Sequence, residues 1–301
     1  MNDSQFRWRT GGDENGRELA EAVSGFLGMS KEAAADLVDF GAVQVRGKME
    51  RDPSFRLCGG EEIFVAYPSC GTSRFYEIDP SRVIFRDPYL FAYDKEAGIA
   101  SQQVPFDAYN NVFAALLRFL GAEDKKQCYG ALHHRLDRET SGVLLFAIAR
   151  KANEPLGRAF RERKVKKEYL AWVEGYPQSD FWSEDREIGK VAGKYRAVDT
   201  GKGKPARTSF TVLCRKEGRS LVSAVPETGR THQIRIHLAL AHHPVAGDRA
   251  YGAKPDRRLY LHARRLTLNH PVSGKLLCLE APVPPDWPEA PDQKAGQNNR
   301  Y

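Results

Sequence analysis

Residues 131–147, ALHHRLDRETSGVLLFA, set His133, His134, Arg135, Asp137, Arg138 and Glu139 directly before an apolar run. Four chemistries fit such a concentration: a metal site, an acid/base pair, a single nucleophile, or a salt-bridge cluster. The metal reading is the weakest. His133 and His134 are neighbours, which face opposite sides of a strand. His232 and His237 are five apart rather than at the i, i+4 spacing of a helical zinc pair, and no H-E-x-x-H occurs. Histidines without ligand spacing are expected to hydrogen-bond backbone or phosphate. A carboxylate pair, Asp137 with Glu139, shares a face on extended chain, but Arg135 and Arg138 favour ionisation of both, so neither reads as a general acid. A single carboxylate fits better: Asp137 beside arginine stays ionised and is able to attack carbon. The alternative, an Asp salt-bridged to Arg135 or Arg138, stands equally on spacing alone.

Two further constellations carry charge. ETGRTHQIRIHLALAHHPVAGDRAYG, 227–252, opens after Gly229. Thr231 and Arg235 at i, i+4 predict one face of a helix, with Arg230 near its start and Ile234, Leu238 and Ala241 toward a core. An amphipathic helix with solvated arginines is the plain alternative. Gly247, Asp248 and Gly252 predict an ordered turn. Residues 158–167 hold six basic groups, Lys166 and Lys167 among them, against the one acid Glu162, a density that suits phosphate. Tyr169 follows, and an aromatic beside a basic stripe is able to stack on a base, although a lone Tyr at a strand start more often packs in a core.

Elements must position these groups. Thr140, Ser141 and Gly142 tighten a turn after Asp137, and VLLFA reads as a buried strand behind it. From Val83 onward strand-like runs recur: VIFRD, YLFAYD, GVLLFAIA, EYLAWVEG, RTSFTVLC, SLVSAVP, RLYLHARRLTL and LLCLEAPV. Helical patterns over 110–120 and 231–242 interrupt them. No regular βα alternation appears, so the class is α+β. Residues 17–28 and the stretch from Ser30, a plausible N-cap, to Gly41 read as two short helices. AVQVRGK and GGEEIFVAY then supply strands. Residues 1–12 read as a mobile end, 13–68 as a small domain, 69–82 as a linker, and 288–301 as a flexible tail.

Composition narrows the class. The chain has 301 residues and net charge +7. Residues 13–66 hold six basic against eleven acidic groups, a net −5, which leaves +12 elsewhere; a polyanion should prefer the larger part. The start has no apolar signal core and no run approaches a membrane span. Five scattered cysteines without a C-x-x-C pair suggest a reduced, cytoplasmic protein, the cysteines acting as small buried hydrophobes.

HRLDRETSG resembles the H-R-L-D-x-x-T-S-G signature of RluA/RluD-type pseudouridine synthases. KKEYLAWVEG and GRTHQIRIHL…HPVAGDRAYG resemble that family's later motifs in the same order, as do GKPARTSF (203–210) and LHARRLTLNHP (261–271). The resemblance spans about 83–287. It implies a catalytic domain on a mixed, largely antiparallel sheet with flanking helices. It also implies isomerisation of uridine to pseudouridine in ribosomal or transfer RNA, by a monomer without cofactor or metal. It further implies Asp137 as catalytic aspartate, Tyr169 packed on the target base and Arg235 paired with Asp137. Arg135 would enter the RNA stack and Leu261 would line the base pocket. Arg230, His232, Lys166 and Lys167 join them as RNA-binding candidates. Residues 17–66 resemble the S-four-like domain that often precedes this core, with GGEEI where relatives often show G-D-x-I. KEAG (95–98) stands where relatives usually have Lys-Pro-Ala-Gly; Glu96 is expected to loosen that turn clear of the active-site motifs.

Overall fold

The computed structural model describes residues 4–67, 71–123 and 129–288. Contacts divide the chain into two compact units, Met1–Ile78 with Gln102–Cys128, and Asp79–Ser101 with Tyr129–Tyr301. The linear boundary read at 69–82 therefore differs from the compact units, because residues 102–128 join the N-terminal one.

In that unit the strands are β1 (Ser4–Arg9), β2 (Val43–Val45), β3 (Lys48–Met49) and β4 (Glu62–Tyr67). The helices are α1 (Leu19–Leu27), α2 (Lys31–Phe40) and α3 (Val112–Glu123). Ser30 caps α2 by accepting from Ala33 N–H at 3.2 Å, and Gly41 closes it at φ 89°. The sheet order is β1-β4-β2-β3. Leu19, Val23, Leu37, Val38, Ile63 and Val65 form its core. Residues 4–9, read from sequence as mobile, are a strand paired antiparallel with β4. The presumed linker is also held. Thr72 and Arg74 bond Asp36, and the Asn110 amide oxygen accepts from Phe75 and Tyr76 N–H.

The second unit contains β5 (Val83–Arg86), β6 (Leu90–Lys95), β7 (Ala131–Leu132), β8 (Ser141–Ala147), α4 (Arg150–Arg161) and β9 (Lys166–Glu174). There follow β10 (Phe181–Asp185), β11 (Glu187–Val191), β12 (Lys194–Val198), β13 (Arg207–Lys216), β14 (Arg219–Pro226), α5 (Gln233–Leu240), β15 (Leu261–Asn269) and β16 (Leu276–Glu280). The large sheet runs β10-β13-β14-β9-β15-β8-β6-β5, with β16 on β15 and β7 on β8. Only β8 and β15 pair in parallel among the described strands, so the class is α+β on a mixed, largely antiparallel sheet. β8 is buried along its length because β6 and β15 flank it while Ala152 and Leu156 of α4 cover one face. β11 and β12 form a separate hairpin.

The cysteines differ from expectation. Cys58 and Cys278 are exposed and Cys214 half-buried; Cys70 and Cys128 lie outside the described residues, as does the tail from 289. No helix among the described residues is long and apolar enough to cross a membrane.

Candidate active site

Asp137 lies between β7 and β8, on a segment fixed from both sides. Gly142 has φ +113°, and a Cβ there would sit 2.2 Å from the Ala263 carbonyl oxygen. Only glycine lets β8 pass β15 this closely. Upstream, the Ser101 hydroxyl donates to the Leu136 carbonyl at 2.8 Å and accepts from its N–H at 3.0 Å. Downstream, Thr140 N–H donates to the Asp137 carbonyl at 3.1 Å. The Arg138 carbonyl accepts from Lys95 Nζ at 3.0 Å and from Gly98 N–H at 2.8 Å. The Lys95–Gly98 turn is thus bonded through Lys95 and Gly98 to the residue after Asp137, while Glu96 pairs with Arg82. Lys95 is fully buried and also donates to the Glu96 and Ile99 carbonyls. Burial pulls its pKa down to about 7.

Arg235, the third residue of α5, reaches the Asp137 carboxylate with Nη1 at 3.3 Å. Its tighter partner is Asp248, which takes Nε at 2.6 Å and Nη2 at 2.8 Å in a fork. Burial opposes the guanidinium charge, but Asp248 and then Asp137 outweigh it and raise the pKa. The Asp248 carboxyl also caps the turn after it by accepting from Ala250 N–H. The predicted turn is present, and its aspartate does more than shape it.

The Thr231–Arg235 helical face does not form, because α5 begins at Gln233 and His232 precedes it in left-handed conformation, φ 57°. The buried Gln233 amide explains this. Its oxygen accepts from Arg230 N–H at 3.0 Å and from the Thr228 hydroxyl at 2.6 Å, folding residues 228–232 across the helix start. His232 Nδ1 meets the Tyr251 hydroxyl at 2.8 Å, and that hydroxyl meets the Tyr195 carbonyl at 3.0 Å. Because the phenol proton goes to the carbonyl, His232 Nδ1 carries the hydrogen in the neutral ring. Nε2 then presents a lone pair, 3.8 Å from Asp137 Oδ2. Burial lowers the pKa of His232, against the raising effect of Asp137. Arg235 also lies over the Tyr251 ring, 5.1 Å from its centroid.

Tyr169 and Leu261 share one apolar cluster with Ile234 and Phe210. Burial, then the Asp137 charge, raises the Tyr169 phenol above its ordinary value and keeps it protonated. Arg135 is exposed and forms no ion pair among the described residues; Lys166 is exposed as well. Arg230 is half-buried, its Nε donating to the Pro205 carbonyl. Lys167 differs from the expected phosphate contact. Its ammonium turns inward to the Thr228 carbonyl at 3.0 Å, and burial lowers its pKa to about 8. The histidine pair is occupied elsewhere: His133 Nε2 bonds Asn153, and His134 Nε2 accepts from Leu145 N–H.

The structure therefore gathers Asp137, Arg235 and His232 by direct approach and joins Tyr169 with Leu261. Residues 89–240 match the sequence profile of RNA pseudouridylate synthases. An RNA pseudouridine synthase of Mycobacterium bovis is 32% identical over 292 residues, covering 91% of this chain and 93% of its own length. This chain belongs to the RNA pseudouridylate synthase family. It is 35% identical over 245 residues to ribosomal large subunit pseudouridine synthase D of Nitrosomonas europaea, covering 77% of this chain and 71% of that one. The solved structure of human RNA pseudouridylate synthase domain containing 1 superposes with a TM-score of 0.55 at 25% identity, over 69% of this chain and 86% of its own. As a member, the chain is an RNA pseudouridine synthase, an enzyme that isomerises uridine to pseudouridine.

Three residues of this synthase carry structure at the site in roles that the sequence reading missed. Asp248 read as a turn, Tyr251 as part of the same turn, and Ser101 not at all. Asp248 had one usable signal: an aspartate before a short turn in a chain with a buried arginine to satisfy.

Proposed function

We propose that this synthase acts on uridines of ribosomal RNA, with Asp137 as its catalytic carboxylate. The observation that carries the reading is the Arg235–Asp137 pair, 98 positions apart in sequence and 3.3 Å apart in space. The relatives that bear a substrate in their names, pseudouridine synthases C and D of the ribosomal large subunit, favour ribosomal over transfer RNA.

A uridine within a helix is out of reach, so it flips out at a cost of a few kcal/mol. Arg135 fills the space it leaves, and the base seats on Tyr169 beside Leu261. Asp137, aimed by Arg235, attacks or deprotonates the nucleoside. The glycosidic bond breaks, any bond made by Asp137 is released, the uracil turns within the pocket, C5 bonds to the ribose C1′, and the proton lost from C5 is matched by one gained at N1. The freed base must not escape, which suits a site walled by β8 and the apolar cluster. Arg230, His232 and Lys166 contact the RNA, and Lys167 holds the 228–232 segment. The chain works as a cytoplasmic monomer with neither cofactor nor metal. The N-terminal unit takes the S-four-like role of a flanking domain.

Replacing Asp137 with Asn should abolish pseudouridine in unmodified ribosomal RNA while RNA binding survives. Activity retained in that variant, or wild-type product confined to transfer RNA, would overturn the corresponding half of the reading.

A further inference from the structure

Next to the segment that leads into His232 lies an open cavity of about 480 Å³. The β11–β12 hairpin, residues 202–204 and residues 229–231 enclose it. Lys190, Lys202, Lys204 and Arg230 line it, with Tyr195 as its aromatic wall and no acidic residue on its surface. Lys202 is paired with Asp199 at 2.9 Å. Lys190 and Lys204 are exposed and have no acidic partner among the described residues. Two unneutralised ammonium groups and a guanidinium facing one space make a site for anionic charge.

The wall is built rather than incidental. Glu187 accepts from Gly201 N–H at 3.0 Å and from Gly203 N–H at 2.9 Å. Ile188 and Lys204 exchange backbone bonds, both at 3.0 Å. A Cβ at Gly203 would lie 2.6 Å from Val198 Cγ2 and 2.9 Å from the Ile188 backbone. The segment carrying Lys202 and Lys204 thus rests directly on β11, and little ordering remains for a ligand to impose.

The cavity also adjoins the reacting groups. The Tyr195 ring stands edge-on to His232, with centroids 6.2 Å apart, and His232 is 3.8 Å from Asp137. Arg230 and Thr231 of the lining are the residues just before His232. Tyr195 of the lining and His232 thus link the cavity to Asp137 through two successive side-chain approaches.

We propose that the cavity is a subsite for a nucleotide flanking the target uridine, its phosphate held by Lys190, Lys204 and Arg230 and its base against Tyr195. This rests on the RNA-modifying reading above. The volume suits a whole nucleotide rather than a lone anion, and a stacking face beside cations is the pattern of single-strand binding.

The test compares wild type with the Lys190→Ala/Lys204→Ala double variant, whose exposed substitutions should leave the thermal midpoint unchanged. Binding of a short oligouridylate is followed over a salt series. Two lost phosphate contacts should lower the magnitude of the log K against log salt slope by about 1.4. KM for unmodified ribosomal RNA should rise about tenfold, beyond any change in kcat. An unchanged slope and KM in a variant of unaltered thermal midpoint would sink the subsite. Binding of inorganic phosphate alone at millimolar concentration, lost in the variant, would make this a free-anion site and likewise overturn it. A wild type that makes no pseudouridine would instead overturn the functional reading, leaving the oligouridylate slope to judge the cavity.

Discussion

Asp248 decides where the Arg235 guanidinium points. Arg235 is buried, and two of its nitrogens are committed to Asp248 before Nη1 reaches Asp137. Asp248→Asn keeps the shape but replaces one charge-assisted bond by a mismatched amide. Breaking a buried pair in this way costs about 3–5 kcal/mol. Misaiming Arg235 should slow single-turnover pseudouridine formation by about a hundredfold. Urea unfolding with rapid-quench assay measures both, and a variant as stable and as fast as wild type would remove Asp248 from the machinery. At this scale the sequence was only partly readable. Asp137, Tyr169, Arg235 and Leu261 stand in motifs of recognisable order. Asp248 stands in a motif too, but its partner lies 13 positions back on another element, and a carboxylate's hydrogen-bond partner is a property of the fold.

The elements behind Asp137 set the acid limit of the protein. His134 is half-buried, stacks on Phe160 and accepts from β8 at Leu145, and desolvation lowers its pKa to about 3. His262 of β15, bonded to Ser141, is lowered by burial to about 4. Both stay neutral in the fold and charge in the unfolded chain below about pH 6.5, so the unfolded state binds more protons there. The contribution of the two histidines is full above pH 6.5 and falls on acidification, by about 1.4 kcal/mol per pH unit per histidine until the folded pKa is reached. Asp94, raised by burial to about 6, works with the opposite sign between its unfolded value and pH 6 and offsets part of the loss. Urea midpoints at pH 7, 6 and 5 should therefore decline, and less steeply in His134→Gln, whose amide oxygen still accepts from Leu145. A decline of equal slope in that variant would clear His134. The strands that set this limit were legible as apolar runs. β10, β11 and β12 were not, because their exposed residues carry no apolar run, and α5 started late because the Gln233 amide holds residues 228–232 out of the helix, which periodicity does not reveal.

On the scale of the whole molecule, charge and contact divide the chain differently. Cations in and just after the acidic N-terminal stretch are paired with its carboxylates. Lys31 pairs with Glu18 and Glu21, Arg51 with Asp39, and Arg74 with Asp36 and Asp39. Cations already spent on carboxylates release few counterions on meeting RNA. Lys31→Ala with Arg51→Ala should therefore change RNA affinity by less than about twofold, with the salt slope intact. Arg135→Ala with Lys166→Ala, two exposed cations without an ion pair among the described residues, should reduce the slope by about 1.4 to 1.8. A large affinity loss in the first pair would reverse this division of labour. Truncation is the wrong instrument for the question. Composition drew one boundary near residue 68, but the Tyr109 hydroxyl bonds Asp39, Ala108 N–H bonds the Phe40 carbonyl, and Arg118 bonds Glu77 and the Tyr76 carbonyl. Removing residues 1–78 leaves α3 and the segment before it without the partners that bury them. The truncated chain should expose that apolar face and aggregate, seen as loss of the monomer peak in light scattering, whereas the point variants keep their unfolding midpoints. A truncated chain that stays monomeric would show that residues 102–123 find their packing elsewhere.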